Sequence, residues 1–245
     1  MVHPIKCLSA THLKILAMAC MLCDHLSATL LPWVPWLGVV GRLAFPIFAF
    51  QIAEGYTQTK NFKRYLGRMF LFALVSEVPF DLMYGGTVFY PFHQNVMFTF
   101  CIALLCLRVL DTVREKRVSI RLLTLLAVAI AGNAIGFLTM VDYYGYGILM
   151  VLGFYLFRNM RFGWLWQLLM MAWINIGLLQ GEYIVAHLFG MELNLYIQGF
   201  ALLALIPIWL YNGTPGKYSK AVRTICYLFY PLHLLVVSLL WLHLA

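Results

Sequence analysis

Residues 121–139 read RLLTLLAVAIAGNAIGFLT, and the arginine at the start is the only charged residue of this run. A helix rises about 1.5 Å per residue, so the run would be roughly 28 Å long. This length is close to the hydrocarbon thickness of a bilayer, about 30 Å. Lipid offers the backbone no hydrogen-bond partners, whereas a helix satisfies them internally. The run therefore predicts a membrane-spanning helix.

Eight further apolar runs occur in the chain of 245 residues, and the composition agrees with them. Hydrophobic residues make up 63% and charged residues 11%, against roughly half and a quarter in soluble domains. The sequence therefore predicts an all-α integral membrane protein, a single polytopic helical bundle that forms one domain over residues 1–245. Segment 181–193 stays open between a loop, a re-entrant segment and an interfacial helix. The nine predicted transmembrane helices are 13–32, 37–56, 65–83, 92–110, 121–139, 144–157, 162–180, 194–211 and 222–244.

The positions of Lys and Arg predict the orientation. With a cytoplasmic N-terminus, all 17 Lys and Arg except Arg42 fall on one side of the membrane. The opposite connections at 33–36, 84–91, 140–143 and 181–193 carry none. Because cytoplasmic loops are rich in Lys and Arg, we expect a multi-pass protein of the bacterial cytoplasmic (inner) membrane, with its C-terminus outside. Topology and anionic membrane lipid account for the net charge of +8, so no nucleic-acid partner is predicted.

Arg42 is the one cation predicted to lie deep within a membrane-spanning helix. A charge at that depth costs several kcal/mol unless it is paired, so it marks a candidate functional site. Asp24 and His25 of the first helix lie at a matching depth, roughly 10 Å from the outer end against about 8 Å for Arg42. Pro46 cannot donate to the carbonyl of Arg42, which predicts a kink there. The alternative is an ion pair that only joins two helices.

Two further groups of polar residues interrupt the apolar helices. Glu77 and Asp81 share a helix face because they are four residues apart, and His93 and Asn95 open the next helix. In the last helix, Pro231 leaves a carbonyl without its donor. That break beside Tyr230 and His233 predicts either a pocket wall or a packed kink with an isolated histidine. This part of the last helix reads YPLH at 230–233.

Four motifs resemble one known family over nearly the whole chain. They are MLCDHL at 21–26, GRLAFPIFAFQIAEGYTQTKNFKRYLGRMFLFALVSEVPFDL at 41–82, FHQNVMFTF at 92–100 and YLFYPLHLL at 227–235. The chain is similar to the TraX-like family, named for a membrane protein that acetylates the N-terminal amine of F-type pilin. That family looks related to the transmembrane acyltransferase superfamily.

The resemblance implies an acyl-CoA-dependent N-acetyltransferase embedded in the membrane. It would move an acetyl group from cytosolic acetyl-CoA to an amine or hydroxyl acceptor at the outer side, such as a pilin, another peptide N-terminus or a small molecule. Acyl transfer to an amine needs a base, and the ordinary pKa of histidine suits that task. His25 is the expected base, Arg42 the expected oxyanion ligand, and Asp24 the expected supporting carboxylate. No metal is implied.

The remaining candidate residues are assigned to the two substrates. The residues expected to bind acetyl-CoA are Lys60, Lys63, Arg64, Arg68, Tyr230 and His233. The four cations among them would look the same if they served only to orient the protein. The residues expected on the acceptor side are Glu77, Asp81, His93 and Asn95.

Two other classes of protein are alternatives to the enzyme. A secondary transporter would use His25, Arg42 and the carboxylates as a proton relay, although no inverted repeat is evident in the sequence. A non-enzymatic membrane factor for pilus assembly would need no acetyl-CoA and would tolerate the loss of His25.

Overall fold

The computed structural model describes residues 6–188, 191–216 and 220–244, and most of these residues are helical. The α-helices are Ala10–Ala28 (α1), Pro35–Gly41 (α2), Ala44–Gln58 (α3), Phe62–Gly85 (α4), Val96–Thr112 (α5), Val118–Leu138 (α6), Tyr144–Phe157 (α7), Gly163–Ala172 (α8), Leu205–Trp209 (α9) and Lys220–Leu244 (α10). A π-helix, Trp173–Leu178, follows α8, and a 3-10 helix, Ile197–Ala204, precedes α9.

Three helices within the described ranges are long and apolar enough to cross a membrane. They are Pro35–Gln58, taken across a short break, Val118–Leu138 and Thr224–Leu244. Shorter apolar helices are Tyr144–Phe157, Gly163–Leu178 and Ile197–Trp209. The chain is thus a mostly helical membrane protein, while nine spans and the orientation of the termini stay predictions. Lys217, one of the cations assigned to the inner side, lies outside the described residues.

The second predicted helix is two helices with a break at Arg42 and Leu43. The Leu43 amide donates to the Val40 carbonyl at 3.2 Å, a tighter turn than an α-helix makes. Pro46 lies four residues beyond Arg42 and has no N–H to offer its carbonyl. The predicted kink is therefore present, and it ends α2 beside the half-buried Arg42.

Part of the segment 181–193 forms a β-hairpin, so the expectation of a purely α-helical chain was wrong there. Strand β1, Tyr183–Leu188, pairs antiparallel with strand β2, Met191–Tyr196, and Tyr183 lies opposite Tyr196. Consecutive β-branched and aromatic residues, such as those at 183–185, favour strands. Residues 189 and 190 of the open segment lie outside the described residues.

The chain divides into two compact units, Met1–Phe48 with Arg161–Ala245, and Ala49–Met160. In the first unit α1 packs against α2 and α10. Ser9 caps α1 through a reciprocal pair of hydrogen bonds with His12, and the Leu8 amide donates to the Leu210 carbonyl at 3.0 Å. These contacts hold the start of α1 to the segment after α9.

In the second unit α5 packs against α4, α6 and α7. Its core contains Leu104, Leu107, Ile148 and Phe154, all of which are fully buried. A Cβ at Gly136 of α6 would lie 2.6 Å from the Gly145 backbone nitrogen. Only glycine allows the backbones of α6 and α7 to approach this closely.

Candidate active site

His25 of α1 and His233 of α10 form a hydrogen-bonded pair in the first unit. Nδ1 of His25 lies 2.8 Å from Nε2 of His233, and the two rings are within 8° of parallel. Both side chains are buried, with 7% and 8% of their surfaces exposed. Phe229 stacks on the His233 ring at 4.5 Å, and the buried Tyr230 lies 5.8 Å from it. The expected break is absent, since α10 continues through Pro231, and His233 is not isolated but contacts the first helix.

The partners of the two rings fix which nitrogen carries each proton. Nδ1 of His233 lies 2.6 Å from the Phe229 carbonyl oxygen, which can only accept, so this nitrogen is the donor. A neutral His233 then accepts at Nε2, and Nδ1 of His25 must donate to it. The lone pair of His25 is left on Nε2. The pair therefore supplies a basic nitrogen in a fixed orientation.

Asp24 and Arg42 form the expected ion pair between α1 and the end of α2. The Arg42 Nη2 donates to the Asp24 Oδ1, and the side chains are only 29% and 17% exposed. A Cβ at Gly41 would lie 2.6 Å from the Asp24 Cα, so glycine permits the approach that joins the charges. Asp24 thus supports Arg42, while the orienting partner of His25 is His233.

Two amides that the sequence analysis did not select extend this network. Arg42 Nη1 donates to the Gln198 Oε1 at 3.4 Å, and the Gln198 Nε2 donates to the Asn175 Oδ1 at 2.7 Å. Asn175 in turn donates to the Met171 carbonyl at 2.8 Å. The available signal was a polar amide in an otherwise apolar helix, which commonly marks a hydrogen bond between helices.

A second polar cluster lies in the second unit and contains the four residues expected on the acceptor side. The Asn95 side chain donates to the Glu77 Oε2 and to the Ala73 carbonyl, the latter at 2.8 Å. The Tyr90 amide donates to the Asp81 Oδ2 at 3.0 Å. Glu77 Oε1 and Asp81 Oδ1 are buried and have no hydrogen-bond partner among the described residues. Each carboxylate therefore keeps one oxygen for a donor.

His93 joins this cluster from the loop before α5. Its Nε2 lies 3.4 Å from the Oδ1 of Asp142, a residue that the sequence analysis missed. Burial lowers the pKa of His93, but the contact with Asp142 and the charges of Glu77 and Asp81 outweigh it, so the pKa lies above its ordinary value. The cluster thus combines three carboxyl groups with an imidazole that favours its protonated form.

The four cations expected to hold acetyl-CoA are exposed. Lys60 and Lys63 flank the start of α4, and Arg64 and Arg68 follow within its first two turns. The Asn61 side chain caps this helix by accepting from the Arg64 amide at 2.9 Å. Their exposure does not assign them a ligand, and their function stays a prediction.

Comparison with known proteins gives a family match over most of the chain. A profile described as TraX protein matches residues 9–241. The chain is also 29% identical over 238 residues to the probable fimbrial assembly protein FimC, serogroup H1, of Dichelobacter nodosus, a match that covers 92% of this chain and 93% of that protein. No solved structure matches. Because the profile spans well over half of the sequence, the chain belongs to the TraX protein family.

Proposed function

We propose that this protein is a membrane acetyltransferase that moves an acetyl group from cytosolic acetyl-CoA to an amine or hydroxyl acceptor at the outer side of the membrane. The observation that carries the proposal is the buried His25–His233 pair, with a basic nitrogen of defined tautomer beside the Asp24–Arg42 ion pair. Family membership and the similarity to a fimbrial assembly protein support a pilus-related membrane function. We therefore propose a pilin or another peptide N-terminus as the acceptor.

His25 Nε2 is the proposed base. The acceptor nitrogen attacks the thioester carbonyl carbon, and the proton that this nitrogen loses moves to His25 Nε2. His233 keeps the ring oriented through the hydrogen bond of 2.8 Å. It takes no part in the proton transfer itself. The C–S bond then breaks, and the protonated His25 returns its proton to the thiolate of coenzyme A. General acid and base catalysis of this kind contributes about 10²–10⁴-fold.

Arg42 is the proposed ligand of the negative charge that develops on the thioester oxygen. Asp24 and Gln198 already hold the guanidinium, so it needs little rearrangement when that charge appears. A preorganised charge in a site that excludes water commonly lowers a barrier by several kcal/mol. Asp24 acts through Arg42 and is a positioning residue in this mechanism.

The acceptor is proposed to interact with the cluster of Glu77, Asp81, His93 and Asn95. The buried oxygens of Glu77 and Asp81 without partners are acceptors for an ammonium group. A peptide N-terminus is such a group until it releases one proton to water, and the neutral amine that remains is the nucleophile whose next proton moves to His25. The same oxygens also suit the hydroxyl of a different acceptor.

A direct assay separates this proposal from its two rivals. Purified full-length protein is incubated with labelled acetyl-CoA, with and without an amine peptide, and is also reconstituted for flux measurements. Transfer or thioester cleavage supports the enzyme. Ion or proton flux without thioester cleavage contradicts the enzyme and supports a transporter. Neither activity in a folded protein favours a non-enzymatic factor.

The non-enzymatic assembly factor is the second candidate because of the name of its relative, a fimbrial assembly protein. On this proposal the Asp24–Arg42 pair only joins α1 to α2. Replacing His25 would then leave pilus assembly intact, whereas the acetyltransferase requires that residue.

A further inference from the structure

A pocket of about 360 Å³ lies within the second unit, between the end of α5, the start of α6 and the end of α7. Small-molecule sites commonly measure about 300–1,000 Å³. The pocket is therefore large enough for a phosphorylated headgroup or for the diphosphate part of a longer ligand. It belongs to neither of the polar clusters described above.

Three arginines from three different segments line this pocket. They are Arg114 after α5, Arg121 in the first turn of α6 and Arg158 at the end of α7. The lining contains no acidic residue among those that the structure describes. The pocket is thus positively charged on three sides, without a carboxylate to neutralise it.

Arg158 is held in place and offers a donor. Its guanidinium lies 4.8 Å from the centre of the Tyr155 ring, a cation–π contact that orients it. Its Nη1 is buried and has no hydrogen-bond partner in the described part of the chain. Buried donors are normally hydrogen-bonded, so this nitrogen indicates that an anionic acceptor binds here.

The rest of the lining is mostly aliphatic and includes Val113, Val118 and Leu122. A simple inorganic anion would gain nothing from these side chains. A ligand with a phosphate at one end and an apolar arm at the other would contact both kinds of surface.

We propose that this pocket binds the phosphate groups of an amphiphilic phosphate ester, with Arg114, Arg121 and Arg158 as the cationic ligands. Arginine binds phosphate with two parallel N–H···O bonds, which are stronger than bonds between neutral groups. An anionic phospholipid has both features, and coenzyme A shares its phosphates but carries a pantetheine arm with two amides. The coenzyme A alternative rests on the proposed acetyltransferase function, and the phospholipid alternative does not.

The test compares the loss of pocket arginines with the loss of nearby cations that do not line the pocket. The double variant Arg114→Gln/Arg121→Gln removes two pocket arginines, and Arg158→Gln removes the third. The matched control, Lys116→Gln/Arg117→Gln, lies in the same connection but does not line the pocket. Because Arg114 and Arg121 are exposed, their single variants repeat the test if the double variant does not fold.

Two probes distinguish the sources of phosphate. Binding of labelled coenzyme A to the purified full chain is measured in detergent. Thermal stabilisation by phosphatidylglycerol over phosphatidylcholine is measured in nanodiscs. Each lost charge-assisted bond should weaken binding by about tenfold or more. The control should bind as the wild type does.

Each outcome decides the proposal. If coenzyme A binds more weakly to the pocket variants but not to the control, the site is supported and coenzyme A is its ligand. Loss of the phosphatidylglycerol effect alone supports the site and identifies a lipid. If the wild type binds neither probe, or if pocket and control variants behave alike, the proposal is overturned.

Failure of the proposed function gives a different pattern. A wild type that binds a phosphate probe through the pocket but transfers no acetyl group contradicts the acetyltransferase and leaves the site. If the wild type and the pocket variants transfer acetyl groups equally fast and bind both probes equally well, only the proposed site is contradicted.

Discussion

The two polar clusters differ in net charge, because the cation of the first is balanced by a carboxylate and the carboxylates of the second are in excess. In the first unit Arg42 is held by Asp24 and Gln198, and His25 is oriented by His233. In the second unit the acidic groups outnumber the cations, and two buried carboxylate oxygens have no partner among the described residues.

The first cluster thus contains a base at a defined atom, and the second contains carboxylate oxygens that can accept hydrogen bonds. A ring whose tautomer is fixed by its neighbour can take a proton at one defined atom. Carboxylate oxygens without donors are costly to bury, and we propose that a cationic or hydroxyl acceptor supplies the donors. We expect substitutions in the first cluster to affect the chemical step and those in the second to affect acceptor binding.

The largest expected effect is on acetyl transfer in His25→Asn. The asparagine amide can still donate to His233 but has no basic nitrogen, so the rate should fall by about 10²–10⁴-fold. His233→Gln keeps an acceptor for the His25 Nδ1 proton and should retain more activity. The measurement is the initial rate of transfer from labelled acetyl-CoA, together with the melting temperature of each variant.

The matched control for the histidine pair is His243→Gln. His243 lies exposed in the last turn of the same helix as His233, so its loss should leave the rate unchanged. Full activity in His25→Asn would remove the base from the proposed mechanism.

The next largest effect concerns the ion pair of Asp24 and Arg42. Breaking a buried pair by removing one partner costs about 3–5 kcal/mol, and removing both is often nearly neutral. Because these side chains are partly exposed, Asp24→Asn should cost less than that. The double variant Asp24→Asn/Arg42→Gln should regain its stability but not its activity.

Arg42→Lys sharpens the same test. Lysine keeps the charge but loses the planar fork, so partial activity would indicate a mainly electrostatic function for Arg42. Near-normal acetylation by the neutral double variant would falsify the assignment of Arg42 to the oxyanion. Stability is measured by thermal unfolding in detergent, and activity by acetyl transfer.

A smaller effect is expected where α1 and α2 touch. Gly41→Ala would put a Cβ 2.6 Å from the Asp24 Cα, and overpacking of this kind costs about 1–3 kcal/mol. In the matched control, Gly67→Ala, the added Cβ meets no described atom within 4 Å. That control should stabilise α4 by up to about 1 kcal/mol, because alanine is the better helix former. Equal melting temperatures for the two variants would contradict the close packing of α1 on α2.

The smallest effect is a pH dependence from His93 in the second cluster. Its raised pKa means that the protonated form is favoured in the folded state. The resulting stabilisation is complete below the unfolded pKa of about 6.5 and is lost as the pH rises through the folded pKa. His93→Gln should therefore flatten the pH dependence of the free energy of unfolding, by about 1 kcal/mol or less. The measurement is the melting temperature as a function of pH. An unchanged pH profile would show that the contact with Asp142 contributes nothing.

The sequence predicted the features that depend on one helix or on two neighbouring helices. Continuous apolar runs located most of the helices, and the run 144–157 coincides with α7. The predicted helix 194–211 was wrong at its start, because residues 194–196 belong to β2. Matching depth predicted the pairing of Arg42 with Asp24, and Pro46 predicted the break beside it. Each of these features follows from local backbone chemistry or from the cost of a buried charge.

Features that depend on distant segments could not be predicted in the same way. His25 and His233 are 208 residues apart, and nothing local indicates that α10 packs against α1. The arginines of the pocket could not be recognised from the sequence for another reason. Topology alone predicts Lys and Arg in such connections, so the sequence cannot distinguish Arg114, which lines the pocket, from Lys116, which does not.

Acetyl transfer across a sealed membrane tests the central claim most directly. The protein is reconstituted into proteoliposomes with labelled acetyl-CoA on one side and a peptide with a free N-terminus on the other. We expect label on the peptide N-terminus with the wild type, and a loss of at least about 100-fold with His25→Asn. A folded wild-type protein that leaves the peptide unlabelled, or equal labelling by His25→Asn, would contradict the account.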